Sequence, residues 1–363
     1  MKRTTDIFLL TVMLILTGCS KVNGIPDSEP VVLEGTYIFF NADLPDTKGA
    51  MIDGPSLPSE AGTAFGAFGF RPDGTPVFDR YTAGTNSTFD DVAKVYRPTS
   101  GSDQFTYDYL SLWHAGTHTF YAYYPYDETQ VIIPATGIDA NNRPYITFSQ
   151  PTTLSSMVDM MTAKTTAQSS EGEVVLPFYH RLFAFEVVLR NTHHVSSSQP
   201  SETVEIFRID AAYVNFTDVA KSARVYFDDG ADSDSEPDLV LSQETIENIS
   251  SKLGGTNVSA PATNQEYLDV SLNNGSYYFF IPCESLSVNC TLKYRNAWNE
   301  ECEYSLTQTL SPEGGFLAGH KYALVIKKTQ TDNLVEFVPS LELVYDGANQ
   351  WDETTPDIDI EFN

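Results

Sequence analysis

Short runs in which large apolar and other side chains alternate with period 2 constrain this chain more than any other feature. They occur at residues 36–40 (TYIFF), 119–124 (TFYAYY), 145–148 (YITF), 183–189 (FAFEVVL), 223–227 (ARVYF), 277–281 (YYFFI) and 322–326 (YALVI). Each is aromatic or β-branched and is bounded by Gly, Pro, Asn or Asp, the residues that punctuate strands. The pattern predicts an all-β fold. Asn273-Asn274-Gly275 reads as a tight hairpin turn, because Asn-Gly accepts the positive φ values of a type I′ turn. Helical periodicity is scarce; the best helix candidate is residues 242–253 (SQETIENISSKL), with Ile246, Ile249 and Leu253 on one face.

The chain has 363 residues, of which 41% are hydrophobic, enough to build a core. At about 150 residues per domain this length predicts two units. The neutral, small-residue stretch 162–173 (TAKTTAQSSEGE) marks the boundary, dividing the chain into a β-sandwich over 31–168 and a second over 169–363. Acidic residues number 49 against 21 basic ones, a formal charge of -28, so like-charge repulsion excludes nucleic acid as a partner and disfavours anionic lipid headgroups. Residues 228–238 (DDGADSDSEPD) concentrate six of these acids in a solvated loop, and the ligand order of an EF-hand is absent from it.

The N-terminus carries an address. Lys2 and Arg3 precede an apolar stretch from Ile7 to Leu16, too short to span a bilayer, and the run closes on Leu16-Thr17-Gly18-Cys19. This has the shape of a bacterial lipobox, with residues 1–18 as signal peptide, Cys19 as the lipidated first residue of the mature chain, and 19–30 as a linker near the lipid. The remaining thiols are Cys283, Cys290 and Cys302. Cys290 and Cys302 flank a predicted hairpin symmetrically, which favours a cross-strand disulfide between them; a bridge from Cys283 to Cys302 is the competing arrangement.

Reactive constellations are missing from the sequence. His114 and His118 are four apart but lie in a turn and strand (WHAGTHTFYAYY), where they read as surface or rim residues; His180 reads as a structural histidine bonded to a loop. No GxSxG elbow, HExxH, Walker loop or dinucleotide fingerprint occurs. The sequence therefore nominates no catalytic residue, no metal site and no cofactor, and the chain is not read as an enzyme.

The C-terminus, residues 357–363 (DIDIEFN), alternates acid with apolar strictly, so that on a strand Ile358, Ile360 and Phe362 share one face. Two readings fit: the segment completes its own sheet, or it detaches and adds to the open edge of another subunit.

Taken in order, the lipobox, Gly35-Thr36-Tyr37-Ile38-Phe39-Phe40, Phe65-Gly66-Ala67-Phe68-Gly69-Phe70, Phe120-Tyr121-Ala122-Tyr123-Tyr124-Pro125, Val158-Asp159-Met160-Met161, Leu176-Pro177-Phe178-Tyr179-His180-Arg181-Leu182, Phe280-Ile281-Pro282 and Leu317-Ala318-Gly319-His320-Lys321-Tyr322 resemble the fimbrillin-like proteins of Bacteroidia. The resemblance implies two tandem transthyretin-like sandwiches, export to the cell outer membrane, and a role as stalk, tip or anchor of a type V pilus at the cell surface. It also implies proteolytic release of the first strand (residues 31–40) and its replacement by a neighbour's C-terminal strand. The sequence departs from that pattern in one respect: no Arg occurs between Arg3 and Arg71, which leaves Lys48 as the candidate cleavage site. The alternative to a polymerising subunit is a monomeric surface lipoprotein that binds glycan or host protein through aromatic-rich loops.

Overall fold

The computed structural model describes residues 36–42, 57–78, 92–102, 104–126, 132–138, 144–192, 207–227, 239–258, 262, 264–273, 275–295, 299–331, 334–345 and 358–360. These residues are all-β, with two short 3-10 turns and no α-helix among them. The period-2 runs form strands where alternation predicts them: His118–Tyr124, Pro144–Ser149, Phe183–Thr192, Ser222–Tyr226, Tyr278–Phe280 and Lys321–Thr331.

Three cores hold the sheets together. In the first, the Ala64–Phe70 and His118–Tyr124 strands lie at the centre of a five-stranded sheet, and Phe65, Ala67, Phe120 and Ala122 point into the same buried cluster as Phe40, Phe105 and Trp113. In the second, Phe183–Thr192 contributes Phe183, Phe185, Val187 and Leu189, packed against Val214, Phe216, Val288 and Leu292 of a facing sheet. The Phe183–Thr192 strand runs parallel to Lys321–Thr331, with Phe185 beside Tyr322 and Leu189 beside Ile326.

The third core joins the other two. Its members include Phe68, Tyr121 and Tyr123 from the opposite face of the first five-stranded sheet, together with Phe148, Val225, Phe279 and Ile281. That sheet is thus covered on both faces, which explains the near-continuous apolar sequences AFGAFGF and HTFYAYY. Crowding there requires glycine: Gly66 stands directly opposite Tyr123, and a Cβ at Gly66 would overlap the tyrosine ring. The two halves of the chain also share a sheet, since Ser222–Tyr226 pairs antiparallel with Pro144–Ser149. Gln150 continues this link with its side chain. Its Nε2 donates to the Phe279 carbonyl at 2.9 Å, and its Oε1 accepts from the Ile281 N–H at 3.2 Å, so a buried amide side chain replaces a missing strand neighbour.

Several expectations are corrected. Residues 242–253 form strands rather than a helix: Thr245–Ile246 and Ile249–Leu253 are extended, and the latter pairs with Phe207–Thr217. Ile249 is fully buried in the second core and burial alternates along the segment, so the apolar spacing serves a sheet edge. The Asn273–Gly275 turn does not close a hairpin. The strands on either side of it, Tyr267–Ser271 and Tyr278–Phe280, both pair with Phe183–Thr192, and Asn273 fills the gap by accepting the Val187 N–H at 3.2 Å.

Within 162–173, expected to hold the boundary between the two units, Met161–Ala167 is a strand of the first sheet. Ala163 and Ala167 are small because they pack beneath aromatic neighbours, which a count of large apolar residues misses. The first core also extends past residue 168, since Val174, Leu176 and Phe178 belong to it and Glu173–Val175 pairs with Phe39–Asn41.

Substituting Gly66→Ala forces the Tyr123 ring to move, with an expected loss of about 1–3 kcal/mol on the usual scale for overpacking. Chemical denaturation measures it, and Gly74→Ala serves as a surface comparison in which the added Cβ meets open space but the positive φ is retained.

Candidate functional site: two strand edges

Sheet edges carry the unpaired donors and acceptors through which strand proteins join partners. Two places are informative here: a short strand seated between two others, and the edge that the terminal strand joins. At the first, Phe39–Asn41 lies between Gln104–Phe105, antiparallel to it, and Glu173–Val175, parallel to it. Just before it, the Ile38 N–H donates to the Ser111 carbonyl at 2.9 Å and the Ile38 carbonyl accepts from the Tyr107 hydroxyl at 2.9 Å. Burial pushes the Tyr107 phenol up to about 12, so it stays a neutral donor.

Ile38, Phe40 and Ala42 face inward while Tyr37 is 47% exposed. The Phe40 ring sits 6.0 Å from Phe65, 5.9 Å from Tyr107 and 5.7 Å from Phe120, an aromatic slot closed by a single strand. Burying Phe40 and Ile38 contributes about 1.5–3 kcal/mol each.

At the second edge, Leu334–Tyr345 pairs on one side with Lys321–Thr331 and on the other with the terminal strand Ile358–Ile360. The register sets Leu341 opposite Ile360, Glu342 opposite Asp359 and Leu343 opposite Ile358. The terminal segment therefore lies in the chain's own sheet.

A charged clamp fixes the strand that receives it. Arg190 donates from Nη1 and Nη2 to the two carboxylate oxygens of Glu342, at 2.5 and 2.9 Å, and from Nε and Nη2 to Asp269, both at 2.9 Å. Its guanidinium also lies 4.2 Å from the centre of the Tyr267 ring. To reach Glu342 it crosses the intervening strand, where the residue directly opposite Glu342 is Ala323. Beside this clamp, Lys321 donates to the Tyr277 hydroxyl at 2.8 Å and lies 3.5 Å from Glu186, whose carboxyl burial raises above its usual range. No sequence motif signalled these groups, because their spacing along the chain exceeds any local pattern.

The structure brings two quoted motifs together. His180 Nδ1 lies 2.8 Å from Asp159 Oδ1, both buried, and the adjacent Arg181 donates from Nε to the Thr162 hydroxyl. His180 is thus a structural histidine bonded to a loop residue, through the Asp159 carboxylate. His118 is not a rim residue. It is completely buried, stacks on Phe120 with ring centres 6.0 Å apart, and meets Trp113 edge-on.

The disulfide expected between Cys290 and Cys302 does not form, and Cys283, Cys290 and Cys302 are free thiols. Register explains this: Cys290 stands opposite Leu306, and Cys302 opposite Tyr294. Burial pushes Cys290 and Cys283 up to about 12, away from thiolate chemistry. Cys19, Lys48, Phe362, His193, His194 and the acidic segment 228–238 lie outside the described residues, as do the side chains of Ile358 and Ile360. Among the described residues no group of three or more His, Cys, Asp or Glu is placed to hold a metal ion, and no helix is long and apolar enough to cross a membrane.

An all-β chain with three aromatic cores, whose distinctive groups are strand edges, defines a class of sheet-built structural protein. Within that class the chain belongs to the fimbrillin-like family, whose model matches residues 58–341. It is similar to the crystal structure of a fimbrial protein from Bacteroides vulgatus, at 18% identity over 79% of this chain and 94% of that one, with a TM-score of 0.45. It is also similar to a candidate cell adhesion protein from Bacteroides uniformis, at 17% identity over 85% and 98% of the two chains, with a TM-score of 0.42. No curated protein matches it.

Two outcomes test the packing at these edges. Arg190→Met removes the guanidinium from the buried Glu342 carboxylate and from Asp269 and is expected to cost about 3–5 kcal/mol, read by denaturant unfolding. Burial holds the His118 imidazole below its ordinary value of 6.5. Folding therefore favours the neutral ring, and the stability this contributes is present above pH 6.5 and lost as pH falls towards the lowered native value. Stability from denaturant midpoints should fall between pH 7 and 5 in the wild type and fall less in His118→Gln, each compared with its own value at pH 7.

Proposed function

We propose that this protein is a structural adhesion subunit of a surface fimbrium, exported as a lipoprotein through Cys19 to the outer membrane and assembled by strand exchange. In this reading the chain comprises two tandem transthyretin-like sandwiches, the strand over residues 31–40 is the one displaced after a cut at Lys48, and Ile358, Ile360 and Phe362 are the donor side chains offered to a neighbour. Its partners are other pilin subunits.

The observation that carries the reading is the seat of Phe40. One short strand plugs an aromatic slot between Gln104–Phe105 and Glu173–Val175, so its departure would leave two open edges and an apolar groove spaced for alternate side chains. Family membership supports the same reading.

A second reading is a monomeric surface lipoprotein that binds glycan or host protein. It is supported by the pairing of Ile358–Ile360 with the chain's own Leu334–Tyr345 strand.

Deletion of residues 357–363 separates the two. Loss of boil-resistant ladders on a denaturing gel is expected for the polymerising subunit, and Lys48→Ala should abolish the ladders as well. A mature chain that always begins at lipidated Cys19 and is found only as monomer, by mass spectrometry of cell-surface protein, would overturn assembly.

A further inference from the structure

The short strand in the aromatic slot and the far end of the sequence carry one pattern. Residues 38–41 read Ile-Phe-Phe-Asn and residues 360–363 read Ile-Glu-Phe-Asn, so three of the four positions are identical. The matches fall on the groups that the slot engages. Ile38 and Phe40 are its fully buried side chains, with the Phe40 ring 6.0 Å from Phe65 and 6.1 Å from Phe78. Asn41, pointing the other way, donates from Nδ2 to Glu173 Oε2 at 3.3 Å, and Gln104 donates from Nε2 to Glu173 Oε1 at 3.0 Å. Glu173 thus spans the three-stranded sheet, holding one amide on the short strand and another on the strand beyond it.

The single difference is Phe39 against Glu361. Phe39 stands directly opposite Glu173 in the parallel pair. A carboxylate in its place would face the Glu173 carboxylate, and like charges on neighbouring strands repel at that separation.

We propose that this slot, once its own strand has left, selects residues 360–363 of a second copy of this same chain. The segment enters in the direction of the first strand, with Ile360 in place of Ile38, Phe362 in place of Phe40 and the Asn363 amide bonded to Glu173. The inference rests on the strand-exchange reading above and adds to it the identity of the partner and the register.

Other registers fit worse. A shift by one residue turns Glu361 into the aromatic core. A shift by two sets Ile360 among the rings, Phe362 in the place of the buried Ala42, and Asn363 away from Glu173. Glu361 also orders the events: the resident strand, which brings no charge beside Glu173, is the better occupant, so the copy enters only after the resident is removed. Residues 346–357 tether the segment to Tyr345 with a reach of up to about 40 Å, more than the roughly 30 Å width of a small domain, so an adjacent copy is within range.

Disulfide trapping in cells that co-produce two full-length variants tests the register. One carries Gln104→Cys, at the exposed position directly opposite Asn41, and the other carries Asn363→Cys. A bond between residues 104 and 363 is expected in mass spectra of the ladder, and by construction it joins two copies. Glu361→Cys in place of Asn363→Cys is expected to give little link, because the diagonal neighbour lies about 7–8 Å away. Phe362→Ala should remove the ladder, and Glu361→Gln should increase it. A ladder whose residue 104 links to 361 in preference to 363, or to neither, would overturn the register and partner while leaving strand exchange standing, as would a ladder unaffected by Phe362→Ala. Absence of any ladder from the unmodified chain would overturn both.

Discussion

In a fold built on strands, most buried backbone N–H and C=O groups find their partners across a sheet, and each sheet has edges where that supply ends. This constraint organises the molecule. Where a strand neighbour is missing inside, a side chain replaces it: the Gln150 amide bonds both Phe279 and Ile281, and Asn273 accepts the Val187 N–H beside its turn. Two short strands complete sheets near the ends of the chain: Phe39–Asn41 joins Gln104–Phe105 to Glu173–Val175, and Ile358–Ile360 adds the last strand beside Leu334–Tyr345. These closures are a few residues long and are the elements the proposed assembly would exchange.

The third core makes the two halves interdependent. Phe68, Tyr121 and Tyr123 leave the first sheet on the face away from its own core and meet Phe148, Val225 and Phe279. Their size is accommodated only because Gly66 lacks a Cβ opposite Tyr123. A displacement of the first strand would thus be felt by a sheet that also supports the second half. The charged groups respect the same layering: Arg190 bridges Asp269 and Glu342 across the outer face of the six-stranded sheet, whereas Asp159 and His180 are paired inside.

Much of the fold was legible in the sequence, and its failures share a cause. FAFEVVL and YALVI read correctly as strands because alternation is a property of neighbours along the chain. The apolar residues of the segment ending at Leu253 looked helical because a spacing of three or four also fits a strand interrupted by a turn, and only pairing with Phe207–Thr217 decides between them. TAKTTAQ read as the place of a boundary, not as a strand, because its buried residues are small and share a core with aromatic rings from other strands. His118 looked like a rim residue because it follows a turn; Trp113 and Phe120 are its near neighbours in sequence, but only the fold turns their rings onto it and buries all three.

The sequence by itself determined the all-β class and the inward-facing residues of most strands, because side-chain alternation follows from the two-residue repeat of the extended backbone. Register and partnership were decided only by tertiary structure. Cys290 and Cys302 are symmetric about their turn in sequence yet separated in the ladder, because Cys290 pairs with Leu306 and Cys302 with Tyr294. Arg190 finds Glu342, and Lys252 finds Tyr213, by the lateral order of strands that the linear chain does not encode locally. That order is set by the packing of sheet faces into shared cores, a sum over many distant contacts, and the charged and polar groups occupy the positions it leaves them.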